Sequence, residues 1–103
     1  MSGVEKLKPH FDLATIKATF STTLKLRMTR TASNSAMALG MVLLDIVKLI
    51  QGTTREQFYK SMTSEHDSAI WQDVYHVPWA DTVLYVKFTT DASGFLLISL
   101  KEK

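Results

Sequence analysis

Leu84-Tyr85-Val86-Lys87-Phe88-Thr89-Thr90-Asp91-Ala92-Ser93-Gly94-Phe95-Leu96-Leu97-Ile98-Ser99-Leu100-Lys101-Glu102 decides the fold. Apolar and polar residues alternate on both sides of a cluster of turn formers, the pattern of a β-hairpin with one buried face. Asp91-Ala92-Ser93-Gly94-Phe95 suits a three-residue loop, with Ala92 and Ser93 in a type I turn and Gly94 at the left-handed bulge position. Asp91 then pairs with Phe95, Tyr85 faces Lys101 and Lys87 faces Ser99. Leu84, Val86 and Phe88 share an apolar face with Leu96, Ile98 and Leu100. The opposite face gathers Tyr85, Lys87, Thr89, Ser99 and Lys101, with Leu97 as its apolar exception. A slip of one residue would send Lys101 and Ser99 towards the core, so the pattern selects this register.

Aromatic and β-branched residues set in from Gln57, and they predict strands near 57–62, 70–76, 82–90 and 94–102. Thr63 to Ser68 reads as a polar connection, and Pro78 with Trp79 as a loop. The first half has a helical texture. Asp12 is a plausible N-cap for a short helix through Leu13, Ile16 and Phe20. Leu24 to Met28 alternates apolar with basic and predicts a short strand or a helix extension. Thr31 to Ala38 predicts a helix capped by Thr31 or Ser33 and stopped by Gly40. Met41 to Gln51 predicts another, ended by Gly52, with Leu43, Ile46, Val47 and Ile50 on one apolar face. Met1 to Lys8 reads as a flexible tail. Helices first and an antiparallel meander after them define an α+β class, N-terminal helices packed on an antiparallel β-sheet, in a single domain over 1–103.

Composition narrows the function classes. A hydrophobic share of 46% and a charged share of 21% exclude global disorder. Cysteine is absent, which excludes disulfides and thiolate metal sites and fits a reducing compartment. Met1 to Pro9 lacks the apolar stretch of a leader, and the apolar run Met41 to Leu44 is far too short to span a bilayer. A cytoplasmic protein without membrane contact is expected. The net charge of +2 hides an asymmetry: residues 1–54 hold seven Lys/Arg against three Asp/Glu, and residues 55–103 hold five against seven. Any contact with RNA must therefore rest on a few placed cations rather than on a broad basic field.

RNA can be cut without metal. The ribose 2′-hydroxyl attacks the adjacent phosphorus, leaving a cyclic phosphate and a 5′-hydroxyl. The enzyme must take one proton, give another and stabilise charge on the phosphorane oxygens. Lysine suits the charge role, and tyrosine can exchange a proton once a nearby ammonium lowers its pKa. Glutamine can hold a phosphate oxygen or the 2′-hydroxyl. Lys60, Gln72, Tyr85 and Lys101 form such a set if the strands bring them together. Other site types fare worse. His10, His66 and His76 are scattered, and Glu65, His66 and Asp67 are adjacent loop residues, so no metal site is expected. With four glycines and no phosphate-binding loop, no cofactor is called for either. Trp71 reads as a core residue in a strand, and Trp79 as the surface aromatic. The rival to a catalytic face is a solvated sheet face.

The blocks Phe58-Tyr59-Lys60-Ser61-Met62-Thr63, Trp71-Gln72-Asp73-Val74-Tyr75, Tyr85-Val86-Lys87 and Ser99-Leu100-Lys101-Glu102-Lys103 resemble the signature of the motility quorum-sensing regulator (MqsR) toxin family. The resemblance is closest from about Thr54 to the end and weaker over Pro9 to Gly52. It implies a fold similar to the RelE-type ribonuclease toxins. It implies a metal-independent messenger-RNA endonuclease (an mRNA interferase) selective for GCU-type sites. The implied partner is an antitoxin of MqsA type, a zinc-containing, DNA-binding dimer through which alone the toxin meets DNA. Carried over to this sequence, the functional residues it implies are Lys60, Gln72, Tyr85 and Lys101. Met62, Lys87 and His76 are expected to contact the RNA. His76 stands where the family pattern has arginine, and Leu100 where it has phenylalanine. Two rival readings remain: a module that binds RNA or protein without cutting, and an inactive toxin serving as corepressor with its antitoxin.

Overall fold

The computed structural model describes residues 4–103. Its sheet is an antiparallel meander of five strands in chain order: β1 (Glu5–Lys6), β2 (Phe58–Thr63), β3 (Trp71–Trp79), β4 (Thr82–Asp91) and β5 (Gly94–Glu102). Three helices, α1 (Leu13–Thr19), α2 (Arg30–Ala38) and α3 (Leu43–Gln51), precede β2. The α+β class read from the sequence is therefore the observed one.

One face of the sheet carries the core. Tyr75 and Val77 of β3, Leu84, Val86 and Phe88 of β4, and Leu97 and Leu100 of β5 cluster with Ile16, Phe20, Ala32, Ala36, Ile46 and Ile50 from the helical side. Burying this much branched and aromatic surface is the main force holding helices to sheet. Because strand side chains alternate, the neighbouring residues project from the other face, which bears no helix.

The hairpin departs from expectation in an informative way. Tyr85↔Lys101, Val86↔Leu100 and Lys87↔Ser99 pair as the alternation demands. The loop, however, has two residues, because Asp91 pairs with Gly94, and the extra residue sits within β5 as a bulge at Ile98 between Lys87↔Ser99 and Phe88↔Leu97. The bulge shifts the parity of β5, so Phe95 and Leu97 join the core side in place of Leu96 and Ile98. Leu97, the exception in the simple register, becomes fully buried. Gly94 takes a positive φ of 116° beside the turn. Arg27 clamps the turn from outside, donating to both Asp91 carboxylate oxygens at 2.9 and 2.7 Å and to the Phe95 carbonyl at 3.0 Å.

Other local readings shift for physical reasons. Pro78 and Trp79 belong to β3 rather than to a loop. The pairing of β2 with β3 ends at Phe58↔Tyr75, so beyond Tyr75 one side of β3 is an edge, where a missing N–H costs nothing. Trp79 packs against the core, and Trp71 lies half-buried at the strand start under His10 and Lys6. Leu24 to Met28 is no strand: a 3₁₀ turn spans Thr23–Lys25, and Met28 makes a single parallel bridge to Leu97. That bridge fixes Thr29, whose amide donates to the Leu97 carbonyl and whose hydroxyl accepts from Ala32 N at 3.1 Å. The N-cap of α2 is thus Thr29 and not Thr31 or Ser33. Where a flexible tail is expected over Met1 to Lys8, Glu5 and Lys6 instead pair with Met62 and Ser61. Met1 to Gly3 lie outside the described residues.

Candidate active site on the open sheet face

The helix-free face is built in cross-strand rows. One row holds Lys60, Val74, Lys87 and Ser99, and the next holds His76, Tyr85 and Lys101. On the other side of the first row, Met62 faces Gln72. All seven residues expected to act on RNA therefore share one face. Lys60, Tyr85, Lys87 and Lys101 are drawn together, whereas Gln72 begins four residues before His76 along β3, about 13 Å from the Tyr85 row. Val74, between Lys60 and Lys87, is fully buried beneath the side chains around it.

Tyr85 is the centre of the cluster. Lys101 Nζ lies 5.5 Å and Lys87 Nζ 5.7 Å from its ring centroid. His76 sits 6.0 Å away from it, centroid to centroid. Burial raises the Tyr85 phenol above its ordinary value, and the Lys60 ammonium opposes this only in part. The lowering expected from the sequence is thus overridden by desolvation, and the phenol keeps its proton at neutral pH. The same desolvation, joined by repulsion from Lys101 and Lys60, lowers Lys87. His76 is also lowered, by burial and by Lys103, which favours the neutral imidazole.

Two residues of this face are not read from the sequence. Tyr59 is the bulge residue of β2, between Phe58↔Tyr75 and Lys60↔Val74, and its ring stacks on His76 at 4.3 Å. Its parity in a regular strand would have placed it with the core neighbours, so only the bulge reveals it. Glu5, from β1, sets its carboxylate 2.5 Å from Lys60 Nζ and raises the lysine by that hydrogen bond. A two-residue strand has no period, so nothing local announced it.

Beneath the face, buried Asp73 ties the N-terminal segment to the sheet. Its carboxylate accepts from the amides of His10 (3.0 Å) and Phe11 (2.9 Å) and from Ser61 Oγ (2.6 Å). Ser61 adjoins Lys60 and Asp73 adjoins Gln72, so this network fixes the backbone from which both project. Among the described residues no group of three His, Asp or Glu has the spacing of a metal site. A cavity of about 820 Å³ lies off this face, between residues 8–17 and 53–55. A ligand of the face would lie across strands, as an extended chain does.

A helix-backed antiparallel sheet whose bare face presents lysines around tyrosine and histidine defines a small α+β protein with a cationic sheet face. The chain belongs to the motility quorum-sensing regulator toxin family: the profile described as "Motility quorum-sensing regulator, toxin of MqsA" matches residues 8–102. It is 36% identical over 100 residues to the mRNA interferase toxin MqsR of Escherichia coli (strain K12), spanning 97% of this chain and all of that protein. An antitoxin partner goes with membership, since the family is described as the toxin of MqsA. No single helix among the described residues is long and apolar enough to cross a membrane.

Proposed function

We propose that this protein is the toxin of a type II toxin–antitoxin pair, a metal-independent endoribonuclease of the cytoplasm that cuts messenger RNA at GCU-type sites and so arrests translation and growth. The observation that carries this is the convergence of Lys60, Tyr85 and Lys101 on one face, where three groups able to neutralise or protonate oxygen surround a site an RNA strand can cross. The substrate's own 2′-oxygen is the nucleophile. Lys60 and Lys101 stabilise the phosphorane oxygens, which supplies charge without a metal. Tyr85, held protonated by burial, gives its proton to the departing 5′-oxygen. Gln72 and Met62 lie further along the strand direction and engage a neighbouring nucleotide, with Lys87 and His76 lining the path. The partner is an antitoxin of MqsA type, a zinc-containing, DNA-binding dimer, and DNA is reached only through it.

The test is a digest of a defined RNA in EDTA, beside Lys60→Ala. Discrete cuts with 5′-hydroxyl ends in the wild type, reduced at least about 100-fold in the variant with its fold retained by circular dichroism, are expected. RNA binding without products would replace the enzyme by a binding module. Undiminished cutting by Lys60→Ala would remove Lys60 from the site.

A further inference from the structure

The set Lys60, Gln72, Tyr85 and Lys101 supplies charge, positioning and a proton donor, but no group that is ready to accept a proton. Lys60 is held as an ammonium by its hydrogen bond, Tyr85 is held as a phenol by burial, and an amide does not titrate. Transesterification nevertheless requires a base for the 2′-hydroxyl. Glu5 reaches the face from β1. It pairs with Met62, which points to the open side, and its carboxylate stands 2.5 Å from Lys60 Nζ. It is more than half exposed, so substrate can reach it.

We propose that Glu5 is a further catalytic residue, the general base of the cleavage reaction. The proposal rests on the ribonuclease reading above. An ammonium binds its acceptors at tetrahedral angles, so a phosphate oxygen on Lys60 lies about 4–5 Å from the Glu5 oxygen on the same ammonium. That gap is filled by the 2′-hydroxyl of the ribose bearing the phosphate. The balance is complete within the site. The O2′–P bond forms as the 2′-proton passes to Glu5, the P–O5′ bond breaks, and O5′ takes the Tyr85 proton. Water then carries the proton from Glu5 back to Tyr85. Glu5 lies on the first strand and Tyr85 on the fourth, so base and acid come from separate strands, and in-line displacement requires them on opposite sides of the phosphorus. The groups that feel the Glu5 charge are Lys60, which it holds, and Tyr85 across the face.

The experiment uses two RNAs of one sequence, one natural and one with sulfur replacing the scissile O5′. Sulfur leaves without protonation, so the second RNA needs a base but no acid. Glu5→Gln is expected to cut both at least about 100-fold more slowly than wild type, whereas the loss in Tyr85→Phe shrinks on the sulfur substrate. Glu5→Ala is expected to regain rate with added formate. Equal or faster cutting by Glu5→Gln would show that Glu5 merely covers Lys60 and would overturn the proposal. So would a loss confined to the natural RNA, or a loss on the sulfur RNA that follows His76→Gln instead. Failure of the ribonuclease reading itself looks different: the wild type cuts neither RNA.

Discussion

Tyr75 is fully buried on the core face of β3, and its hydroxyl has no hydrogen-bond partner among the described residues. Burial pushes its pKa up to about 12. An unpaired buried hydroxyl costs about 1–3 kcal/mol in desolvation, so removing it while keeping the ring should not weaken the fold. Tyr75→Phe is expected to raise stability in urea by about 1 kcal/mol. The sign of its pH effect is also fixed. The unfolded phenol loses its proton near pH 10 and the folded one near 12, so in that window only the unfolded chain gains from ionising, and stability falls as pH rises. The difference between wild type and variant should therefore widen between pH 10 and 12, by about 2–3 kcal/mol. A constant difference would mean that the hydroxyl finds a partner. Individual residues differ in how far the sequence discloses them. Tyr85 and Lys101 are visible because they alternate with Leu84, Val86 and Leu100 on strands whose other face is apolar, and Lys60 because its block resembles that of the family. Asp73 is not, because its partners are the backbone amides of His10 and Phe11, more than sixty positions away. Glu5 is hidden for the same reason.

The strands of the meander are legible because a two-residue period runs through Leu84 to Phe88 of β4 and Ile98 to Lys101 of β5. Their irregularities are not. The bulges at Tyr59 and Ile98 each insert one residue, and local sequence carries only a weak signal for where ladder hydrogen bonds are skipped. Leu97 held that signal, as the single apolar residue on the wrong face. The turn from β3 to β4 shows another kind of strain. Trp79 pairs with Thr82, and Ala80 in the two-residue loop takes φ of 51°, the left-handed region where a Cβ crowds the carbonyl. Glycine escapes that crowding but gives back part of the gain through its freer unfolded chain. Ala80→Gly is expected to stabilise by about 0.5 kcal/mol, raising the thermal midpoint by about 2–4 °C. Ala80→Val, branched at the crowded carbon, should lower it by more than that. A drop in Ala80→Gly would show that the turn relaxes to a negative φ in solution.

Over the molecule as a whole, charge is divided between two regions, and this decides how RNA affinity should respond to salt. The open face presents Lys60, Lys87 and Lys101, and Glu5 already engages the first of them. Lys8 and Lys17 of the first half, joined by Arg55 of the second, lie elsewhere, around the large cavity. If RNA crosses only the sheet face, about three phosphates are neutralised. For a single strand each contributes about 0.7 to the slope of log affinity against log salt, so a slope near −2 is expected. The measurement is fluorescence anisotropy of a 2′-deoxy RNA analogue, which binds but cannot be cut, over a series of potassium chloride concentrations. Lys87→Ala should reduce the slope by about 0.7 and weaken binding to all sequences alike, since a lysine on a phosphate reads no base. A slope of about −4 would instead place Lys8, Lys17 and Arg55 on the RNA path. The strand would then run from the open face around the β1 edge into the cavity, and substituting Lys17 would lower the slope as much as substituting Lys87.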